Sequence, residues 1–141
     1  MIDFQRLAEA FGIRRNIVIF VPHPDDETIG CGGLIVKAIE AGITADVVLV
    51  TDGGASHAAT PTLSRADLAR IRRAELDAAL TTLGSSREPL CLNLRDAETA
   101  SISPAERHEI ARELVCHNRI SQADAVFTTW RREPHCDHRF A

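Results

Sequence analysis

Four apolar runs punctuate the chain, each followed by a polar turn and separated from the next by helical spacing. The first, Asn16–Val21, reads Asn-Ile-Val-Ile-Phe-Val with no polar alternation. Such continuity suits a strand buried on both faces. Ala45–Val50, Leu90–Leu94 and Ala123–Trp130 supply the second, third and fourth strands. Leu7, Ala8, Ala10 and Phe11 predict a short amphipathic helix ended by Gly12. Leu34, Ile35, Ala38 and Ile39 predict a helix over Thr28–Ala41, with Gly42 as its stop. A polar loop over 55–63, with His57 and Pro61, leads to a long helix from Ser64 to Leu83, marked by Ala69, Leu76 and Leu80 and stopped by Gly84. Ser103-Pro104-Ala105-Glu106 is a capping box with proline at the first helical position. The helix it opens carries Ile110, Leu114 and Val115, with His108 and His117 at its surface. After the fourth strand a loop over 131–134 is expected, and no closing helix.

Helices and strands therefore alternate, with short connections. That order implies right-handed crossovers and a Rossmann-like three-layer α/β/α fold with a mostly parallel sheet. Residues 1–141 are expected to form one domain.

Composition narrows the function. The net charge of −4 gives no basic footprint for nucleic acid. No apolar run approaches a membrane span. The start, Met1-Ile2-Asp3-Phe4-Gln5-Arg6, lacks the basic flank and apolar core of a signal peptide. Cys31, Cys91, Cys116 and Cys136 show no C-x-x-C spacing. Four reduced thiols in a cytoplasmic protein is the simplest reading, with Cys31, Cys91 and Cys116 as small buried hydrophobes.

The chemistry gathers directly after the first strand, in Val21-Pro22-His23-Pro24-Asp25-Asp26-Glu27-Thr28. The carboxyl end of a strand is where open α/β sheets bind ligands. His23 and Asp26, three apart on a strand-to-helix turn, can converge on one point, and imidazole and carboxylate are both zinc ligands. Asp25 between them is free to act as a general base toward a water at that point. The plainer reading makes Asp25, Asp26 and Glu27 first-turn acids of the next helix. It leaves His23, set between two prolines, without a purpose. Gly30-Cys31-Gly32-Gly33 resembles a dinucleotide-binding loop, with Asp52 as the ribose acid. Three carboxylates where the pyrophosphate would sit argue against it, so the glycines read as close-packing positions of helix on sheet.

His135-Cys136-Asp137-His138 follows the fourth strand and so lies at the same edge. One of His135 and His138 would complete a three-ligand site with an open position, the mark of a catalytic zinc. The other would steady an oxyanion or protonate a leaving amine, and Asp137 would orient a histidine. Asp52 is a candidate for binding a sugar hydroxyl. Arg72 and Glu75 read as an exposed ion pair or as a buttress of the site. Trp130 is placed to stack on a sugar ring or to pack at the rim.

Together, His23-Pro24-Asp25-Asp26-Glu27, Thr51-Asp52-Gly53, Arg72-Arg73-Ala74-Glu75 and His135-Cys136-Asp137-His138 resemble the PIG-L (LmbE-like) family of zinc-dependent N-deacetylases, across most of the chain. The resemblance implies that His23, Asp26 and His138 bind Zn2+, that Asp25 is the general base, and that His135 stabilises the oxyanion with Asp137 in support. It implies a small-molecule N-acylated substrate, most simply an N-acetylated amino sugar. A non-sugar amide such as an antibiotic or thiol-conjugate intermediate, or a silent metal-binding module, is the alternative. The family usually has proline where this chain has Cys136, whose thiol is expected to play no part at the metal. Family members also continue well past the second motif, so the chain is expected to lack their C-terminal part. The sheet edge thus left open predicts self-association into a homo-oligomer.

Overall fold

The structure, a computed structural model, describes residues 4–57 and 63–141. Met1, Ile2, Asp3 and Pro61 lie outside the described residues. Helix α1 spans Phe4–Phe11 and strand β1 Asn16–Val21; α2 (Asp26–Glu40), β2 (Thr44–Thr51), α3 (Arg65–Thr82) and β3 (Leu90–Leu94) follow. A 3-10 turn at Thr99–Ser101 leads to α4 (Pro104–Cys116), α5 (Asn118–Ser121), β4 (Ala125–Phe127) and α6 (Cys136–Phe140).

The sheet is parallel, in the order β3-β2-β1-β4. This is the Rossmann-like α/β arrangement that the alternating pattern implies. The chain builds outward from β1 through β2 to β3, then crosses back to place β4 on the other side of β1. The order therefore reverses between β1 and β4. Crevices at the carboxyl ends of strands flanking such a switch point are where open α/β sheets take ligands. Both sequence motifs lead out of these two strands.

The core follows from strand alternation. Ile17, Ile19 and Val21 of β1 and Ala45, Val47 and Leu49 of β2 face one side and pack with Ile35 and Ala38 of α2 and Leu76 and Leu80 of α3. Val18, Val48 and Val50 are buried on the other face, so the central strands are apolar on both sides. The Ser64 hydroxyl caps α3 by accepting the Asp67 N–H, and the Ser103–Glu106 box caps α4 as its sequence implies.

Several local expectations change. β4 is only Ala125–Phe127, because the run has partners only at Ile17–Ile19 of β1. Before it, the Asp124 carboxylate is taken by the N–H groups of Arg14, Arg15 and Asn16. Beyond it, the Thr129 hydroxyl donates to the His138 carbonyl and the chain leaves the sheet. A closing helix exists: α6, with the His135 side chain accepting the Asp137 N–H as its N-cap. The second motif is thus a helix start rather than a loop. His117 sits between helices and caps α5. Of the glycines read as close-packing positions, only Gly32 is buried, beside Leu83; Gly30 and Gly33 face open space. Cys116 is exposed, while Cys31 and Cys91 are half-buried against the core.

Candidate metal centre

The first loop is built by β2 as much as by β1. Thr51, fully buried, donates both its N–H and its hydroxyl to the Pro22 carbonyl. Gly53 then turns at φ +67°, and a Cβ there would come within 2.8 Å of the Pro24 ring. Only glycine allows that turn and that approach together. Asp25 is held at φ 131°, a conformation costing about 1–3 kcal/mol for a residue with a side chain. Neighbours hold it there. The Asp25 N–H donates to the buried Glu27 carboxylate at 2.9 Å. The Arg72 guanidinium grips the Pro24 carbonyl and the Asp25 carboxylate, the latter at 2.7 Å, and pairs with Glu75 at 2.7 Å. Arg72 and Glu75 are therefore joined as the spacing predicts, with Arg72 buttressing the loop.

His23 occupies the centre. Its Nδ1 lies 3.3 Å from Asp26 Oδ2, and the same oxygen lies 3.6 Å from His138 Nε2. Its Nε2 lies 3.0 Å from Asp137 Oδ2 and 3.2 Å from Asp96 Oδ1. Two carboxylates hold a proton on Nε2, so Nδ1, facing Asp26 and His138, is the nitrogen left to a metal. Carboxylate–histidine pairs of this kind orient metal ligands in many sites. Burial alone would lower the His23 pKa; the bonds to Asp26 and Asp137 and the charge of Asp96 outweigh it and raise it to about 9. Burial likewise opposes charge on Asp26, but the His23 bonds and the charge of His138 hold its pKa down.

Asp137 is completely buried, and burial disfavours its charge. Bonds from the Thr99 hydroxyl and N–H, the Ala97 N–H, His23 and the Cys136 thiol nevertheless keep its carboxyl well below the usual range. The Cys136 sulfur sits 3.3 Å from Asp137 Oδ1.

Among the described residues, two groups of side chains have ligand atoms within 4.8 Å of one another: His23, Asp26 and His138, and His23, His135 and Asp137. The first fits a cation better. In the second, both Asp137 oxygens are occupied by fixed donors, and the His135 Nδ1 lone pair accepts the Asp137 N–H. In the first, the donor separations of 3.3 and 3.6 Å match the roughly 3.4 Å edge of a tetrahedron with zinc–ligand bonds near 2.1 Å.

The other candidate residues divide. His135 is half-exposed, its ring 5.0 Å from that of His23 and 5.5 Å from that of His138. With Asp25 and Arg72 it lines a cavity of about 350 Å³. Trp130 lines a second cavity of about 310 Å³ that reaches Asp26 and His138. Asp52 lines neither cavity; its Oδ1 accepts the N–H groups of Gly54 and Asp96 and supports the turn from behind. Sequence reasoning missed Asp96 and Thr99. The only signal for Asp96 was its place just past β3, at the same carboxyl edge. Among the described residues, no helix is long and apolar enough to cross a membrane.

The family model for GlcNAc-PI de-N-acetylases (PIG-L) matches residues 18–141. A diacetylchitobiose deacetylase of Thermococcus kodakarensis is 40% identical over 52 residues, covering 37% of this chain and 19% of its own. The N,N'-diacetylchitobiose deacetylase of Pyrococcus horikoshii, solved with an inhibitor, superposes with a TM-score of 0.72 at 31% identity, over 99% of this chain and 56% of that one. The conserved protein TT1542 of Thermus thermophilus gives 0.68 at 26%, over 91% and 52%. The chain thus spans about half the length of these solved relatives.

Proposed function

The chain belongs to the GlcNAc-PI de-N-acetylase (PIG-L) family, and from that premise and the geometry above we propose that it carries the centre of a zinc-dependent N-deacetylase acting on an N-acylated amino sugar. One observation carries the reading. Donor atoms of His23, Asp26 and His138 converge within 4.8 Å, and Asp25 and His135 line the cavity beside them. His23, Asp26 and His138 would hold zinc, which when bound supplies a Lewis acid that polarises the acyl carbonyl and acidifies water.

The remaining work falls to this chain's side chains. Asp25 accepts a proton from the attacking water, its carboxylate fixed by Arg72. The water oxygen bonds to the acyl carbon, and charge develops on the carbonyl oxygen. His135 meets that charge. Its Nδ1 accepts the Asp137 N–H, so its proton is on Nε2, free to donate. The C–N bond then breaks, the proton held by Asp25 passes to the departing nitrogen, and the products are a carboxylic acid and an amine, which exchange the remaining water proton to give a carboxylate and an ammonium. Asp137 and Asp96 position His23. Arg72 and the polar cavity receive the sugar side of the amide.

Acetate release from N,N'-diacetylchitobiose by the zinc-loaded chain tests the proposal. Asp25→Ala should retain one zinc per chain and lose about 100-fold or more in rate. If wild type and variant show the same rate, or neither shows any while both hold zinc, the site binds metal without this chemistry.

A further inference from the structure

The metal-site residues are reached from two cavities of unlike chemistry. The first presents Asp25, Arg72, Asp96, Ser56 and His135. The second ends on Asp26 and His138 and is walled by Phe20, Pro22, Ile29, Cys31 and Trp130. Ile29 is 80% exposed and Trp130 64% exposed, so two large apolar side chains flank one opening. Isolated exposed hydrophobics need no explanation, but a contiguous pair at the mouth of a cleft marks a ligand surface.

The polar inventory of this cleft is poor. No lysine, arginine, asparagine or glutamine lines it, and the Thr129 hydroxyl is spent on the His138 carbonyl, which leaves Thr128 and the Glu133 carboxylate as its polar groups besides Asp26 and His138. A sugar seated there would bury hydroxyls with few partners, which is costly. An alkyl chain requires none. The two substituents of an amide leave its carbonyl in opposite directions. With the amine side in the polar cavity beside Asp25 and Arg72, the acyl side points into the apolar cleft.

We propose that the Ile29–Trp130 cleft is an acyl-chain subsite, and that the preferred substrates are N-acyl amines with chains longer than acetyl. The inference rests on the deacylase reading above and gives Trp130 an alkyl partner in place of a sugar ring.

Trp130 is the single tryptophan of the chain, so its fluorescence reports the cleft without any turnover. The zinc-loaded protein is titrated with hexanoate, acetate and glucosamine. Burial contributes about fourfold per methylene, so hexanoate should shift Trp130 emission to the blue at concentrations on the order of 100-fold below acetate. Glucosamine should leave the emission unchanged. Ile29→Ser should weaken the hexanoate response. A hexanoate response no stronger than that of acetate, or a shift induced by glucosamine, overturns the subsite. Hydrolysis of N-hexanoylglucosamine no faster than N-acetylglucosamine overturns it too, while leaving the deacylase reading intact; hydrolysis of neither overturns both.

Discussion

Asp124 at the amino end of β4 and Asp137 beyond its carboxyl end use the same chemistry. Asp124 Oδ2 accepts the N–H groups of Arg14, Arg15 and Asn16, which pins the entry of β1 against β4. Asp137 accepts the N–H groups of Ala97 and Thr99 and the Thr99 hydroxyl, which pins α6 against the segment after β3. The difference lies in what else each touches. Around Asp124 the donors are fixed backbone. Asp137 also faces His23, whose proton can leave and whose other nitrogen faces Asp26 and His138. Charge at the two sheet edges differs in the same sense. At the amino edge the buried Asp46 is matched by Arg87 at 2.6 Å and Arg119 at 3.6 Å. At the carboxyl edge Asp26, Asp96 and Asp137 crowd one histidine, an excess of negative charge that a cation would relieve. A carboxylate that holds the fold becomes part of a site once one of its donors is a ring whose other nitrogen can take a metal.

The largest effect that would sharpen this contrast comes from Asp137→Ala. It strands the Ala97 and Thr99 N–H groups and the Thr99 hydroxyl around a buried position, each costing about 1–3 kcal/mol, along with the weaker Cys136 thiol donor, and removes the partner that orients His23. Zinc affinity should fall about 10–100-fold, and urea denaturation of the metal-free protein should show a large loss. Equal loss of zinc in Asp124→Ala would break the comparison, because that residue is expected to leave metal binding untouched. Next in size is Asp96→Asn. Its Oδ1 is the second carboxylate oxygen on His23, and its Oδ2 accepts the Ala55 N–H. With Asp137 still in place, zinc affinity should drop by about tenfold, the lower end of that range; competition with a chelator would measure it.

Much of this frame is legible in the sequence, and the illegible parts share a cause. β1 and β3 stand out with the bounds their apolar runs give, and β2 extends its run by one residue at each end; β1 and β2 are buried, while β3 is only half-buried. The convergence of His23, Asp26 and His138 follows from two motifs leaving neighbouring parallel strands at one edge. Asp96 and Thr99, in Arg95-Asp96-Ala97-Glu98-Thr99, carry no period and no motif spacing; their roles exist only through contacts far along the chain, Asp96 with His23 and Thr99 with Asp137. Helix α6 is five residues long, too short for periodicity to register, although His135 is a recognisable cap once the helix is known. The strand expected over Ala123–Trp130 shrinks to Ala125–Phe127 because only those residues pair with β1, although Thr128, Thr129 and Trp130 have strand propensity. Trp130 could be placed near the site but not given a neighbour, since Ile29 lies on α2, a hundred residues earlier.

A pH titration of the metal-stripped protein sharpens the comparison further. His23 is raised from 6.5 to about 9 in the folded chain. Its protonated form therefore contributes stability that is fully present below pH 6.5 and is lost as pH rises through about 9. Asp137→Asn, which removes one charge facing the imidazole, should flatten that window. Asp124→Asn should leave it unchanged. An unchanged slope in both variants would show that His23 is not coupled to Asp137 as the 3.0 Å contact requires.

The smallest effect belongs to the amino end and runs in the opposite direction. The N–H groups of Arg14, Arg15 and Asn16 hold the Asp124 pKa below its usual 3.8. A depressed carboxylate contributes stability that is present above the unfolded value and disappears as pH falls through the folded one. The difference in melting temperature between wild type and Asp124→Asn should be constant near neutrality and shrink in acid, with zinc content equal at every pH where the site is filled. The variant keeps an acceptor oxygen for the three N–H groups, so what it removes is the charge and not the geometry. That makes the acid window, rather than the size of the destabilisation, the diagnostic reading. A difference that instead grew toward alkaline pH would mean that Asp124 is linked to a titrating base, and the separation between a purely structural clamp at one end of β4 and a proton-coupled one at the other would fail.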